Sequence, residues 1–258
     1  MQRSDHDPEL AAAPTVLLRF RRALNLSMAA VIALSALYFA RLPEAWQQAM
    51  SIHPQTPTGL LGILTAPLLH ASLEHLAGNA FSLLVLGTLA GTVYPNATRR
   101  ALPVLWLGSG LGTWLIAQDG YHLGASGLLH GLGFLIFTLG LLRRDRPAIA
   151  AAMIAFFFFG SMLLTVLPQE LGVSWEYHLS GALVGVLCAW VWRRADPPPP
   201  RRRYSWEDDP EPEEREADVL EPPRPDDVPV LWHRPEERRG VVLPFPGNDL
   251  SHPRDPES

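Results

Sequence analysis

Six apolar segments set the terms on which this chain can fold: Leu24–Ala40, Leu73–Val93, Leu102–Ala117, Gly124–Leu142, Ala148–Leu167 and Tyr177–Trp192. Several fall near or just under the ~17–25 residues a helix needs to cross hydrocarbon. The shorter ones call for short helices or local bilayer thinning. A helix in a soluble core needs a polar face recurring at the helical period, and Ala148–Leu167 offers almost none. In lipid, every backbone N–H and C=O must be bonded inside its own segment, so these runs must be helical. The expected fold class is an all-α membrane protein, a six-transmembrane-helix bundle. Gly59–Leu69 is apolar but carries Pro67 and is too short to span. It is expected to lie in the interface or to re-enter on the outer side.

The arginines orient the bundle. The sequence contains no lysine, so arginine carries every fixed positive side chain. Arg19, Arg21 and Arg22 precede the first segment, and Arg99 and Arg100 separate the second and third. Arg143, Arg144 and Arg146 join the fourth and fifth, while Arg193, Arg194 and Arg201 to Arg203 follow the sixth. The alternate loops hold only Arg41. The positive-inside rule then puts both termini in the cytoplasm. The expectation is a multi-pass integral protein of a bacterial cytoplasmic (inner) membrane. No cleavage site follows the first apolar run, so it reads as a helix and not as a leader.

Charge divides the chain in two. Residues 1–195 carry a net charge of +3, and residues 196–258 carry −8 with 15 of the 25 prolines. The acidic, proline-rich part holds too little apolar surface to offset its chain entropy. The expected organisation is a flexible N-terminus over 1–18, a membrane domain over 19–195, and a disordered cytoplasmic C-terminal tail over 196–258. A lone cysteine, Cys188, excludes a disulfide framework. No basic-aromatic patch points to nucleic acid, and no cofactor motif is present.

The polar residues inside the apolar segments are the functional candidates, because such groups are costly in a bilayer and normally face a bundle interior or a wet cavity. Ser126 stands in Gly124-Ala125-Ser126-Gly127, at the start of the fourth segment. Gly124 permits a tight entry turn. The first turn of a helix then offers Ser126 free N–H groups and the positive helix end. His70, His75 and Asn79 open the second segment as H-x4-H-x3-N, with His75 and Asn79 on one helix face. His178 opens the sixth, followed by Gly181 and Gly185. Gly127 and Gly131 repeat that small-xxx-small spacing after Ser126, so the fourth and sixth helices can approach closely. By the charge rule the second, fourth and sixth helices all run inward. Ser126, His178, His75 and Asn79 therefore sit at similar depth, below the outer surface. The chemistry this suggests is a serine nucleophile, Ser126, with His178 as its base. His75, Asn79 and the Ser126 backbone N–H would stabilise the oxyanion. No carboxylate lies deep in a helix to orient the histidine, so the pair is a dyad. A purely structural reading would make the same residues interhelical hydrogen bonds.

Taken together, the three motifs resemble the rhomboid intramembrane serine proteases over roughly residues 24–193. That resemblance implies a six-helix rhomboid-like core with a Ser126–His178 dyad in an outward-facing cavity. It implies no cofactor and no metal, and substrates that are single-pass transmembrane proteins cleaved near a helix end. Substrate entry would pass between the second and fifth helices, where Phe156 to Phe159 lie. Two departures stand out. The first loop is short, and Trp46 is followed by Gln47 where many members carry a Trp-Arg pair. One turn below the serine stands His130, where many members place a tyrosine against the catalytic histidine. His130, His70, Gly124 and Gly127 are thus candidate supporting residues. A ring nitrogen of His130 is expected either to meet His178 and help fix it or to bond a neighbouring helix. The alternative function is a catalytically silent rhomboid-like protein that binds transmembrane helices. A metalloprotease would need H-E-x-x-H or similar spacing, whereas His70, Glu74 and His75 read H-x3-E-H. A transporter would show inverted repeats, and the sequence has none.

Overall fold

The computed structural model describes residues 8–168 and 172–198, with side chains from residue 15 onward. The described residues are helical and form no strand. Their one β-type pairing is an isolated antiparallel bridge between Ile52 and His122. Residues 1–7 of the expected flexible N-terminus, and the expected disordered tail beyond residue 198, lie outside the described residues.

Helix α1 covers Pro8–Phe39, so it begins ahead of residue 19. It is followed by the short α2, Glu44–Ala49. The Gly59–Leu69 stretch folds as a 3₁₀ turn, Thr58–Leu60, then α3, Gly62–Thr65, then a second 3₁₀ turn, Ala66–Leu68. Helix α4, Leu73–Ser82, continues through a π turn at Leu83–Gly87 into α5, Thr88–Val93. The remaining helices are α6, Pro95–Ile116; α7, Ser126–Arg143; α8, Arg146–Phe159, extended by a 3₁₀ turn to Leu163; and α9, Trp175–Trp192. Among the described residues, four stretches are long and apolar enough to cross a membrane: Thr15–Phe39, Leu73–Val93, Ser126–Arg143 and Arg146–Leu163.

Local chemistry sets the helix ends. Ser72 accepts from the His75 N–H at 3.1 Å and starts α4. Asp145 accepts from the Ala148 N–H at 3.1 Å and starts α8, while Arg143 holds the same carboxylate at 2.7 Å. Such caps satisfy donors that have no partner inside their own helix. The start of α6 is capped from far away. Asp196 accepts from the backbone N–H of Asn96 at 3.0 Å and of Ala97 at 2.8 Å. Residue 196 is therefore a buried part of the membrane domain and not the first residue of the tail.

Helix α7 lies at the centre and packs most extensively on α9. The glycine spacing explains the fit. A β-carbon at Gly181 would fall on the carbonyl oxygen of Gly127, and one at Gly185 on that of Gly131. Each glycine of α9 therefore seats directly on the backbone of α7. On the far side, α6 anchors the segment after α2. Trp106 Nε1 donates to Leu64 O at 3.1 Å, and Trp114 Nε1 donates to Thr56 O at 2.9 Å. That segment in turn holds the loop ahead of α7. Ile52 and His122 exchange backbone hydrogen bonds at 2.9 Å, and the Gly124 N–H donates to Ala66 O at 2.8 Å.

Because backbone cannot move aside as a side chain can, Gly181→Ala and Gly185→Ala should each destabilise the domain by about 1–3 kcal/mol, the usual scale of overpacking. Gly78→Ala is the control, since a β-carbon there meets nothing within 4 Å. Thermal unfolding in detergent micelles checks this. A Gly181→Ala protein as stable as Gly78→Ala would mean that α7 and α9 are not held by this contact.

Candidate active site

Ser126 is the first residue of α7, and Gly124 sets the turn that delivers it. Gly124 has φ +113°, a backbone conformation that side-chain-bearing residues rarely adopt. A β-carbon there would lie 2.5 Å from Cε1 and 2.6 Å from Nε2 of His75, and 3.4 Å from Nδ2 of Asn79. The His75 ring and the Asn79 amide are therefore seated against the turn just before Ser126. Asn79 is buried, and its Nδ2 has no hydrogen-bond partner among the described residues. An amide donor left open beside a helix N-terminus is suited to receive an anionic oxygen. His70 is also buried and meets His75 edge-on, with ring centroids 5.1 Å apart. Its place is behind His75.

His178 lies in the first turn of α9. Its Nδ1 is 3.1 Å from the carbonyl oxygen of Thr165. A carbonyl only accepts, so Nδ1 carries the proton and a neutral ring keeps its lone pair on Nε2. This is the tautomer a general base requires. Ser126, His178, His75, Asn79 and His130 all line one cleft of about 850 Å³. These five sequence candidates, on three helices, are thus brought together.

His130 meets His178 in a way the sequence did not suggest. The expectation was a contact through a ring nitrogen. Instead the two rings stack, 3.8 Å between centroids and 11° from parallel. The nitrogens of His130 are committed elsewhere, Nδ1 to the carbonyl of Ser126 at 2.7 Å and Nε2 to the hydroxyl of Thr165 at 2.9 Å. At 3% exposure both needs are met inside the protein. Gly127 plays a separate part: a β-carbon there would strike the ring of Tyr177, which is fully buried one residue before His178.

Sequence reasoning missed Thr165 and His122. Thr165 is a single hydroxyl near the end of an apolar run. His122 lies two residues ahead of Gly124 and lines the same cleft. Its Nε2–H donates to the Asp119 carbonyl, and its Nδ1 accepts from the hydroxyl of Ser174. Ser174 in turn accepts from the Tyr177 N–H at 3.3 Å and caps α9. The loop that carries Ser126 is thereby tied to the helix that carries His178. Burial pulls the His122 imidazole below the usual histidine pKa, partly opposed by the Glu176 carboxylate, which suits the neutral form this bonding needs. Among the described residues, no three histidine, cysteine or acidic side chains are grouped to hold a metal ion.

An uncharacterized protein of Mycobacterium tuberculosis is 40% identical over 149 residues, covering 54% of this chain and 62% of the relative. One of Mycobacterium leprae is 37% identical over 141 residues, covering 51% and 56%. The chain therefore spans only about three-fifths of the length of these relatives. The rhomboid domain profile matches residues 57–195, more than half of the chain, and that stretch contains the cleft and every residue lining it, so the chain belongs to the rhomboid family.

Proposed function

We propose that this protein is an intramembrane serine endopeptidase acting on single-pass transmembrane proteins. The observation that carries the reading is the shared cleft, in which Ser126, His178, His75 and Asn79 meet while Thr165 holds His178 in the base-competent tautomer. In this reading His178 Nε2 takes the proton of Ser126 Oγ as that oxygen bonds to the scissile carbonyl carbon. The negative charge that develops on the carbonyl oxygen is received by Asn79 Nδ2–H, the His75 ring and the Ser126 N–H at the start of α7. His178 then gives its proton to the departing amide nitrogen, and the peptide bond breaks to leave an ester on Ser126. A water molecule, deprotonated by the same nitrogen, hydrolyses that ester and regenerates the hydroxyl.

The membrane arrangement is part of the proposal. Helices α6 and α9, 22 and 18 residues long, would complete six spans beside the four more apolar ones. Arg99 and Arg100 in the first turns of α6, and Glu176 and His178 in the first turn of α9, lower their hydropathy, and the two helices pack against one another and against α7. The arginine pattern supports an orientation with both ends of the domain in the cytoplasm and the cleft toward the outside. Substrate entry between the α4–α5 helix and α8 would pass Phe81 and Phe159, whose rings are 6.0 Å apart.

Ser126→Ala and His178→Ala should each abolish cleavage of a single-pass test substrate in proteoliposomes, since a dyad works as a unit. Ser126→Ala should also lose labelling by a fluorophosphonate. Wild-type protein that neither cleaves nor labels would favour a silent binder of transmembrane helices.

Asn79→Ala should retain measurable turnover at roughly 10–1000-fold below wild type, the range typical of losing one oxyanion donor. An unchanged rate in folded protein would reduce Asn79 to an interhelical contact.

At position 130 the ring stack should matter most. His130→Tyr, which keeps a flat ring over His178, is expected to retain more activity than His130→Ala. Equal rates for the two variants would show that stacking is irrelevant to turnover.

A further inference from the structure

We infer that Thr165 is a positioning residue for the dyad, fixing base and nucleophile relative to each other through one continuous chain of hydrogen bonds. The inference rests on reading Ser126 and His178 as the dyad. Thr165 lies between the 3₁₀ turn that ends α8 and the start of α9, and it uses two separate groups. Its carbonyl accepts from His178 Nδ1–H at 3.1 Å. Its hydroxyl meets His130 Nε2 at 2.9 Å. His130 carries the chain to the nucleophile by donating Nδ1–H to the backbone carbonyl of Ser126 at 2.7 Å. That carbonyl can only accept, so a neutral His130 must present a lone pair at Nε2, and the Thr165 hydroxyl must be the donor there.

The consequence is geometric. The stack on His130, with centroids 3.8 Å apart, limits tilting of the His178 ring. The carbonyl of Thr165 limits its rotation within the ring plane. One residue governs both restraints, and both are referred back through His130 to the main chain of Ser126. This chain of bonds supplies the orientation that a carboxylate supplies in a triad. A displacement of the order of 1 Å between base and nucleophile is enough to cost about 100-fold in rate.

The hydroxyl has one competing acceptor, the carbonyl of Met162 at 3.1 Å. A hydroxyl that serves only Met162 would merely stabilise the turn after α8. The two roles part in a double-mutant cycle on the full chain in proteoliposomes, comparing Thr165→Val, His130→Phe and the double variant. Phenylalanine keeps the flat ring but has no nitrogen to bond. The measurements are kcat and KM on a single-pass test substrate, the rate of fluorophosphonate labelling, and Tm. Thr165→Val should lower kcat and labelling about 10–100-fold with KM within about twofold, and Thr165→Ser should recover most of that loss. In the His130→Phe background the same change should cost less than about twofold. The inference is overturned if Thr165→Val leaves kcat unchanged, if its loss appears only in KM or Tm, or if it costs as much with Phe at 130 as with His. Should Thr165→Val fail to fold, Thr165→Cys carries the same cycle, with a weaker donor and a smaller loss. Absence of cleavage and labelling in wild type would instead sink the dyad reading itself, an outcome distinct from all of these.

Discussion

The contact on which the rest depends is backbone against backbone, Gly181 on the carbonyl of Gly127 and Gly185 on that of Gly131. Two helices in a membrane gain nothing from hiding apolar side chains from lipid, so close association has to come from shape and dispersion. Removing the β-carbons lets α7 and α9 approach until main chain meets main chain. The same step brings residue 126 of one helix within the neighbourhood of residue 178 of the other. A serine side chain is short, and an imidazole reaches little further. Had either seam carried a larger residue, the two polar groups would be held apart by its bulk. Packing and the geometry of the site are here one constraint.

That constraint fixes distance but not direction. Direction comes from the loops and caps at the helix ends, where polar groups are satisfied across segments far apart in sequence. His122 bonds the cap residue of α9, Gly124 bonds Ala66, and Trp106 and Trp114 hold the segment on which that loop rests. Each of these bonds satisfies a polar group across segments that no single helix could pair. At the opposite end of the domain Asp196 does the same for α6, and Arg143 joins Asp145 while lying over the ring of Tyr94. The helices supply a rigid frame, and these bonds set the angle at which the site residues leave it.

The division explains what the sequence made legible. Hydrophobic runs bounded by arginines report helices because the bilayer leaves the backbone no other choice. Glycines four apart report a close seam, and serine, histidine and asparagine in apolar runs report a cleft. All of these signals are local or periodic. Asp196 was read as tail because its neighbours are prolines and its partners, the N–H groups at residues 96 and 97, lie a hundred positions away. Thr165 was invisible for a similar reason. One hydroxyl in an apolar run bonds its own helix more often than another, and nothing in its neighbours marks this one as facing two histidines. His130 was placed beside His178 by helical spacing and by the tyrosine that many family members carry at that position. Spacing gives no account of whether two rings meet by an edge or by a face.

The stacked pair has a physical logic of its own. If His130 offered a nitrogen to His178 it would compete for the proton that the Thr165 carbonyl needs, and the tautomer of the base would depend on that of its neighbour. Stacking removes the competition. Each ring uses its in-plane nitrogens on separate partners and meets the other only by its face. Both can then remain neutral, which matters because two imidazolium rings 3.8 Å apart in a low-dielectric surrounding would repel strongly. Each histidine is thus held in one tautomer by an oxygen that can only accept, His178 by the carbonyl of residue 165 and His130 by that of residue 126. A bilayer disfavours a buried carboxylate, and main-chain carbonyls already present at the helix ends orient the imidazole without adding a charge.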